Sequence, residues 1–142
     1  LQIKKPRKVL VTFEAPFCNS CRVMNRTTFS DTTLAPYINK HFYVVKFDAT
    51  RSDTLTFRGE KFHTTIINNF PFHNLAIRLS SNRFSLPVLC VLDEQLKTID
   101  VLNYYQGPER LKPILTYFGD DIYKKKPFME FLSEYQKPLE KK

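Results

Sequence analysis

The feature that most constrains this chain is a handover. The apolar, β-branched run at residues 8–13, Lys-Val-Leu-Val-Thr-Phe, is stopped by Pro16 and followed at once by Cys18-Asn19-Ser20-Cys21. Such a run reads as a buried strand, and the residues from Ser20 to about Arg26 suit a helix opening at the cysteine pair. Cys18 then sits at a helix N-terminus, where unpaired N–H groups and the macrodipole favour negative charge. Since the thiolate is the nucleophile, this position makes Cys18 the attacking sulfur of a thiol–disulfide exchange. Cys21, three residues on, faces the same side one turn along, can close a disulfide with Cys18, and is the resolving sulfur.

With three cysteines the chain cannot be a complete disulfide scaffold, so the pair points to redox chemistry or to metal binding. Zinc needs four ligands, and no second C-x-x-C or H-x3-5-H pair exists; His41, His63 and His73 are scattered and Cys90 stands alone. A soft, copper-type site using Cys18, Cys21 and one histidine stays open, as does a permanent structural disulfide. Cys90, in an apolar run, is expected in the core.

Charge narrows the partners. Lys and Arg total 22 against 14 acids, a net +8, but much of it lies at the ends: Lys4, Lys5, Arg7 and Lys8, then Lys124, Lys125, Lys126, Lys137, Lys141 and Lys142. That distribution reads as solvated basic surface, without the one-faced stripe and motif of a nucleic-acid module, so nucleic acid is not an expected partner. No stretch of roughly 18 apolar residues is present, so no membrane span is expected. The chain starts at Leu1 rather than Met, compatible with a removed signal peptide or anchor.

The remaining pattern alternates strands and helices. Ser30 or Asp31 can cap a helix through Lys40, residues 42–48 form a second strand, and residues 54–66 suit a hairpin around Arg58-Gly59-Glu60. Asn68 to Phe72 reads as a loop, with a helix from about His73 to Leu79. Strands at residues 86–92 and 97–105 precede a helix opened by Pro108 and running to about Phe118, and a last amphipathic helix covers about residues 127–135. Phe70, Phe72, Tyr104 and Tyr105 could serve the core or a groove, and no site is placed there. This order is an α/β layer fold with a mixed sheet, expected as one domain over residues 1–142.

The segment Val9-Leu10-Val11-Thr12-Phe13-Glu14-Ala15-Pro16-Phe17-Cys18-Asn19-Ser20-Cys21 resembles the strand, Ala-Pro-aromatic and C-x-x-C of the thioredoxin family. The continuation to Thr28-Phe29-Ser30-Asp31 is similar to the branch holding the C-terminal domain of bacterial thiol:disulfide interchange proteins and related envelope proteins. Leu86-Pro87-Val88-Leu89-Cys90-Val91-Leu92-Asp93 matches that family's proline-then-strand segment. The resemblance covers about residues 7–119 and leaves residues 120–142 as a basic helical extension.

It implies a thioredoxin-like fold: a central mixed sheet flanked by helices, here with an inserted β-hairpin and an extra C-terminal helix. It further implies a protein-disulfide oxidoreductase of the bacterial envelope or periplasm, monomeric, without cofactor or metal, acting on protein substrates or redox partners. Pro87 would be cis and packed on the cysteine pair, leaving the Leu86 backbone to pair with a substrate strand. The family often has a buried Asp where Thr12 stands; Glu14, two residues on along the same strand face, is either the candidate for proton transfer with Cys21 or an ordinary surface carboxylate. Phe17 stands where the family usually has Trp.

Overall fold

In the computed structural model, which describes residues 5–80 and 85–140, strand β1 (Lys8–Glu14) is buried along its length except at Glu14. It earns that burial by lying inside the sheet. β2 (Phe42–Asp48) pairs with it in parallel, with Phe13 opposite Phe47 and Glu14 opposite Asp48. On its other side β7 (Val88–Leu92) runs antiparallel, with Phe13 opposite Val88, and β8 (Thr98–Asn103) pairs antiparallel with β7 to give the order β2-β1-β7-β8.

Alternation along β1 and β7 divides the core into two layers. Val9, Val11, Phe13, Val88, Cys90 and Leu92 face one side, where Leu75, Ala76 and Leu79 of α3 (Asn74–Leu79) cover them. Leu10, Leu89 and Val91 face the other. There they meet Met24 of α1 (Asn19–Thr27), Leu34 and Ile38 of α2 (Leu34–His41), and Leu111 and Leu115 of α4 (Pro108–Gly119). Fully buried side chains such as Phe13 and Leu10 each contribute about 1.5–3 kcal/mol. This is the mixed sheet with flanking helices that the resemblance implied.

Asp31 starts α2: its Oδ2 accepts the Leu34 amide at 2.9 Å and the Thr33 amide at 3.1 Å. These bonds hold its carboxyl at about 2, below the usual carboxylate range. Pro36 falls in the first turn of α2, where its missing N–H costs no helical bond.

Between β2 and α3 the structure departs from the expected single hairpin. β3 (Leu55–Phe57) and β4 (Glu60–Phe62) form one around Arg58-Gly59, and β5 (Thr64–Ile67) pairs with β6 (Phe70–His73) in a second. Asn68 and Asn69 make the second turn with φ of 50° and 67°, the left-handed region a two-residue hairpin turn demands and asparagine tolerates. The loop expected at residues 68–72 is therefore a turn and most of a strand, and α3 begins after His73.

The C-terminal helix α5 (Phe128–Glu140) is longer than the expected 127–135 and docks through aromatic rings. Phe131 is buried, and Phe128 and Phe131 lie 5.1 and 5.6 Å from the Tyr117 ring of α4. Lys8, counted among the solvated basic ends, is buried instead. Its Nζ bonds Glu94 at 2.9 Å and Asp121 at 2.6 Å, tying β1 to the β7–β8 turn and to the segment after α4. Burial pulls the ammonium down, but the Asp121 and Glu94 carboxylates outweigh it and raise its pKa. Lys4, Lys141 and Lys142 lie outside the described residues.

Candidate active site

Cys18 is the N-cap of α1. Its backbone is extended, and its Sγ stands where a capping oxygen usually does, accepting the Cys21 amide at 3.1 Å. Its own amide donates to the Ala15 carbonyl at 3.0 Å, closing the tight turn through Pro16 and Phe17. Arg22 clasps that turn from outside, donating to the Pro16 carbonyl at 2.7 Å and to the Asn19 side-chain oxygen. The two sulfurs are joined in a disulfide, with Cα atoms 5.3 Å apart. Ser20 Oγ lies 3.6 Å from Cys18 Sγ.

The register of β1 and β7 brings Leu86 and Pro87 to this turn. The Leu86–Pro87 peptide is cis, and Leu86 packs against Ala15, Cys18 and Cys21. Cys18 is only 7% exposed and Cys21 3%. Even so, Cys18 forms part of the wall of an open groove of about 620 Å3, shared with Phe17, Ile67, Phe72 and Leu86. Cys18 thus has an edge on the groove, while Cys21 does not line it.

Glu14 shares the strand face of Thr12 and reaches α1: its Oε2 accepts the Asn25 amide at 2.7 Å. Asn25 lies four residues after Cys21, so the two are neighbours on one helix face. Glu14 also lines an open cleft with Lys46 and Asp48, whereas Thr12 is buried.

Among the described residues no group of three or more His, Cys, Asp and Glu side chains converges on a point that could hold a metal. His73 is occupied structurally. Its Nδ1 accepts the Leu75 amide at 3.2 Å and its Nε2 donates to the Asp53 carbonyl at 2.7 Å. Cys90 is buried, donates to the Leu79 carbonyl at 3.3 Å, and has its thiol pushed up to about 12, by burial first and by the Asp100 charge second.

A sequence model of the thioredoxin-like domain matches residues 2–119. The chain belongs to the thioredoxin-like family. Solved structures agree on the fold. A thioredoxin-fold protein from Helicobacter pylori superposes with a TM-score of 0.65 at 19% identity, covering 94% of this chain and 83% of its own. A thioredoxin from Thermus thermophilus gives 0.55 at 18% identity, covering 79% and 73%. The DsbH oxidoreductase gives 0.53 at 12% identity, covering 78% and 71%. Among curated proteins no sequence match is found. The thioredoxin-like match stops at the end of α4, so the 3-10 turn (Ile122–Lys124) and α5 lie beyond it.

Of the aromatic residues left unassigned by sequence, Phe72 is half-buried and lines the groove, Phe70 is exposed and meets the Phe17 ring, and Tyr104 and Tyr105 are exposed elsewhere. Phe17 and Phe70 are more than half exposed, with ring centroids 5.8 Å apart, and Phe72 lies 6.5 Å from Phe17. The sequence signal for this contact was Asn68-Asn69 between two β-prone runs.

Proposed function

We propose that this thioredoxin-like protein is a thiol–disulfide oxidoreductase that exchanges disulfides with protein partners through Cys18 and Cys21. The observation that carries this reading is the Cys18 sulfur at the α1 N-terminus, bonded by the Cys21 amide and opening on a groove beside the cis Leu86–Pro87 peptide. In the reduced protein the same amide and the helix dipole stabilise a Cys18 thiolate.

The steps follow from the two environments. Cys18 attacks one sulfur of the partner's disulfide, and the partner's other sulfur leaves as a thiolate and takes a proton. Cys21 gives up its proton, attacks Cys18 Sγ, and expels the partner's first sulfur. The partner gains two electrons and two protons, and the protein is left as the disulfide. Run backwards, the same steps oxidise a partner. Glu14 takes or returns the Cys21 proton, and the Leu86 backbone aligns the partner strand beside Pro87.

By its resemblance the protein works in the bacterial envelope as a monomer, which cell fractionation and size-exclusion chromatography test. Among the described residues no helix is long and apolar enough to cross a membrane. The central test is trapping. A Cys21→Ser variant should accumulate mixed disulfides with cellular proteins through Cys18, and a Cys18→Ser variant should not. If neither variant forms any thiol-reversible adduct, the reading is wrong. The reduction potential of the couple then gives the direction of exchange.

A further inference from the structure

The groove beside Cys18 has one wall from the active-site turn and another from the β5–β6 hairpin, which supplies Ile67, Asn68 and Phe72. Among the described residues, none that lines it carries a charge. Its surface alternates large apolar side chains, Phe17, Ile67 and Phe72, with uncharged polar ones, Asn19, Asn68 and Ser85. A stretch of extended polypeptide fits, because its amides can pair with the polar groups and its side chains can cover the apolar ones.

The aromatic rings of the wall, Phe17 and Phe72, together with Phe70 packed against Phe17 outside it, narrow the class further. Phe17 and Phe70 are tilted at 46° and Phe17 and Phe72 stand edge-on at 75°, with Phe17 and Phe70 left open to solvent. Open ring faces and edges of this kind favour a third ring over an aliphatic group of equal area. Exposed apolar clusters beside a reactive group mark an interaction surface. The wall is also anchored before any ligand arrives. The His73 amide bonds the Ala49 carbonyl at 2.7 Å, the Asn74 amide bonds the His63 carbonyl at 2.7 Å, and Thr65 bonds the Asn74 side chain. Little ordering cost is left for binding.

We infer that the β5–β6 hairpin selects substrates: extended polypeptide segments with an aromatic residue next to the exchanging cysteine. This rests on the oxidoreductase reading and adds the substrate class to it. The test uses reduced Cys21→Ser protein and two symmetric peptide disulfides, one with Phe and one with Ala beside its cysteine, plus 2-hydroxyethyl disulfide as a substrate without side chains. Cys18 attacks the peptide disulfide, forming the adduct and releasing one peptide thiol, so each rate is read directly.

The Phe peptide should react about tenfold faster than the Ala peptide. Adding Phe70→Ser or Ile67→Ser should bring that ratio, taken within each variant, to about two or below. Equal rates for the two peptides, or a ratio kept in both hairpin variants, overturn the inference while leaving the oxidoreductase reading intact. No reaction even with 2-hydroxyethyl disulfide overturns both.

Discussion

The Glu14 carboxylate is bound to the side-chain amide of Asn25, one helical turn beyond Cys21. The carboxylate thus sits against the α1 face that carries Cys21, at the edge of a cleft it shares with Lys46 and Asp48. Thr12, deeper in the same strand, has no acidic group to offer. The carboxylate of this strand face stands at the end of β1, two residues beyond Thr12.

Resolution of the mixed disulfide should therefore depend on Glu14. In Glu14→Gln the step in which Cys21 releases a trapped partner should slow about tenfold, and its pH–rate profile should lose one ionisation. Stopped-flow release of a peptide from Cys18 measures this. An unchanged profile excludes Glu14 from proton transfer.

Lys8 should stabilise the fold across a defined pH window. Asp121 is raised by burial but lowered further by Lys8, so its folded pKa lies below 3.8, and that of Lys8 lies above 10.5. The carboxylate contribution is complete above 3.8 and fades as pH falls through the lowered value. The ammonium contribution is complete below 10.5 and fades as pH rises through the raised one. Lys8→Met should cost about 2 kcal/mol between pH 5 and about 9, less than a fully buried pair because Glu94 and Asp121 remain partly exposed. Urea denaturation should show the difference shrinking outside that window.

Gly119→Ala sets two effects against each other. Alanine is the better helix former by up to about 1 kcal/mol, but its Cβ would run into the Tyr37 hydroxyl, with ring carbons at 3.1 and 3.2 Å. Tyr37 cannot retreat freely, since its hydroxyl donates to Asp120 at 2.8 Å. Overpacking wins by about 1 kcal/mol, a fall in Tm of about 4 °C. A rise in Tm by calorimetry would show that Tyr37 moves aside at no cost.

Cys90 should be chemically silent. Burial holds its thiol near 12, so iodoacetamide at pH 8 should label Cys18 of the reduced native protein and reach Cys90 only after denaturation. Peptide mapping by mass spectrometry distinguishes the two; native labelling of Cys90 would contradict its burial.

The parts legible in sequence are those where one physical demand dominates. The runs at residues 8–13 and 42–48 are strongly β-prone, and both became strands with bounds close to those read. Cys18 at a helix start was visible because it sits at a change of periodicity, whereas Pro87 was legible only through the resemblance to the thioredoxin family. The β5–β6 hairpin was hidden by Pro71, which looks like a strand breaker. In a two-stranded sheet, however, Pro71 lies on an edge, where its missing N–H faces no partner strand. Lys8 was misread because its partners, Glu94 and Asp121, are distant in sequence, and only the closed fold brings them together.

The antiparallel pairing of β1 with β7 has a consequence for how such a molecule can change. Because the end of one central strand lies against the start of the other, the sulfur pair and the cis peptide are locked together by the sheet itself. The β5–β6 hairpin stands outside that sheet as a separate two-stranded unit. On the inference drawn above, changes in that hairpin would alter which partners are admitted, while the bond-exchanging hardware stays as it was.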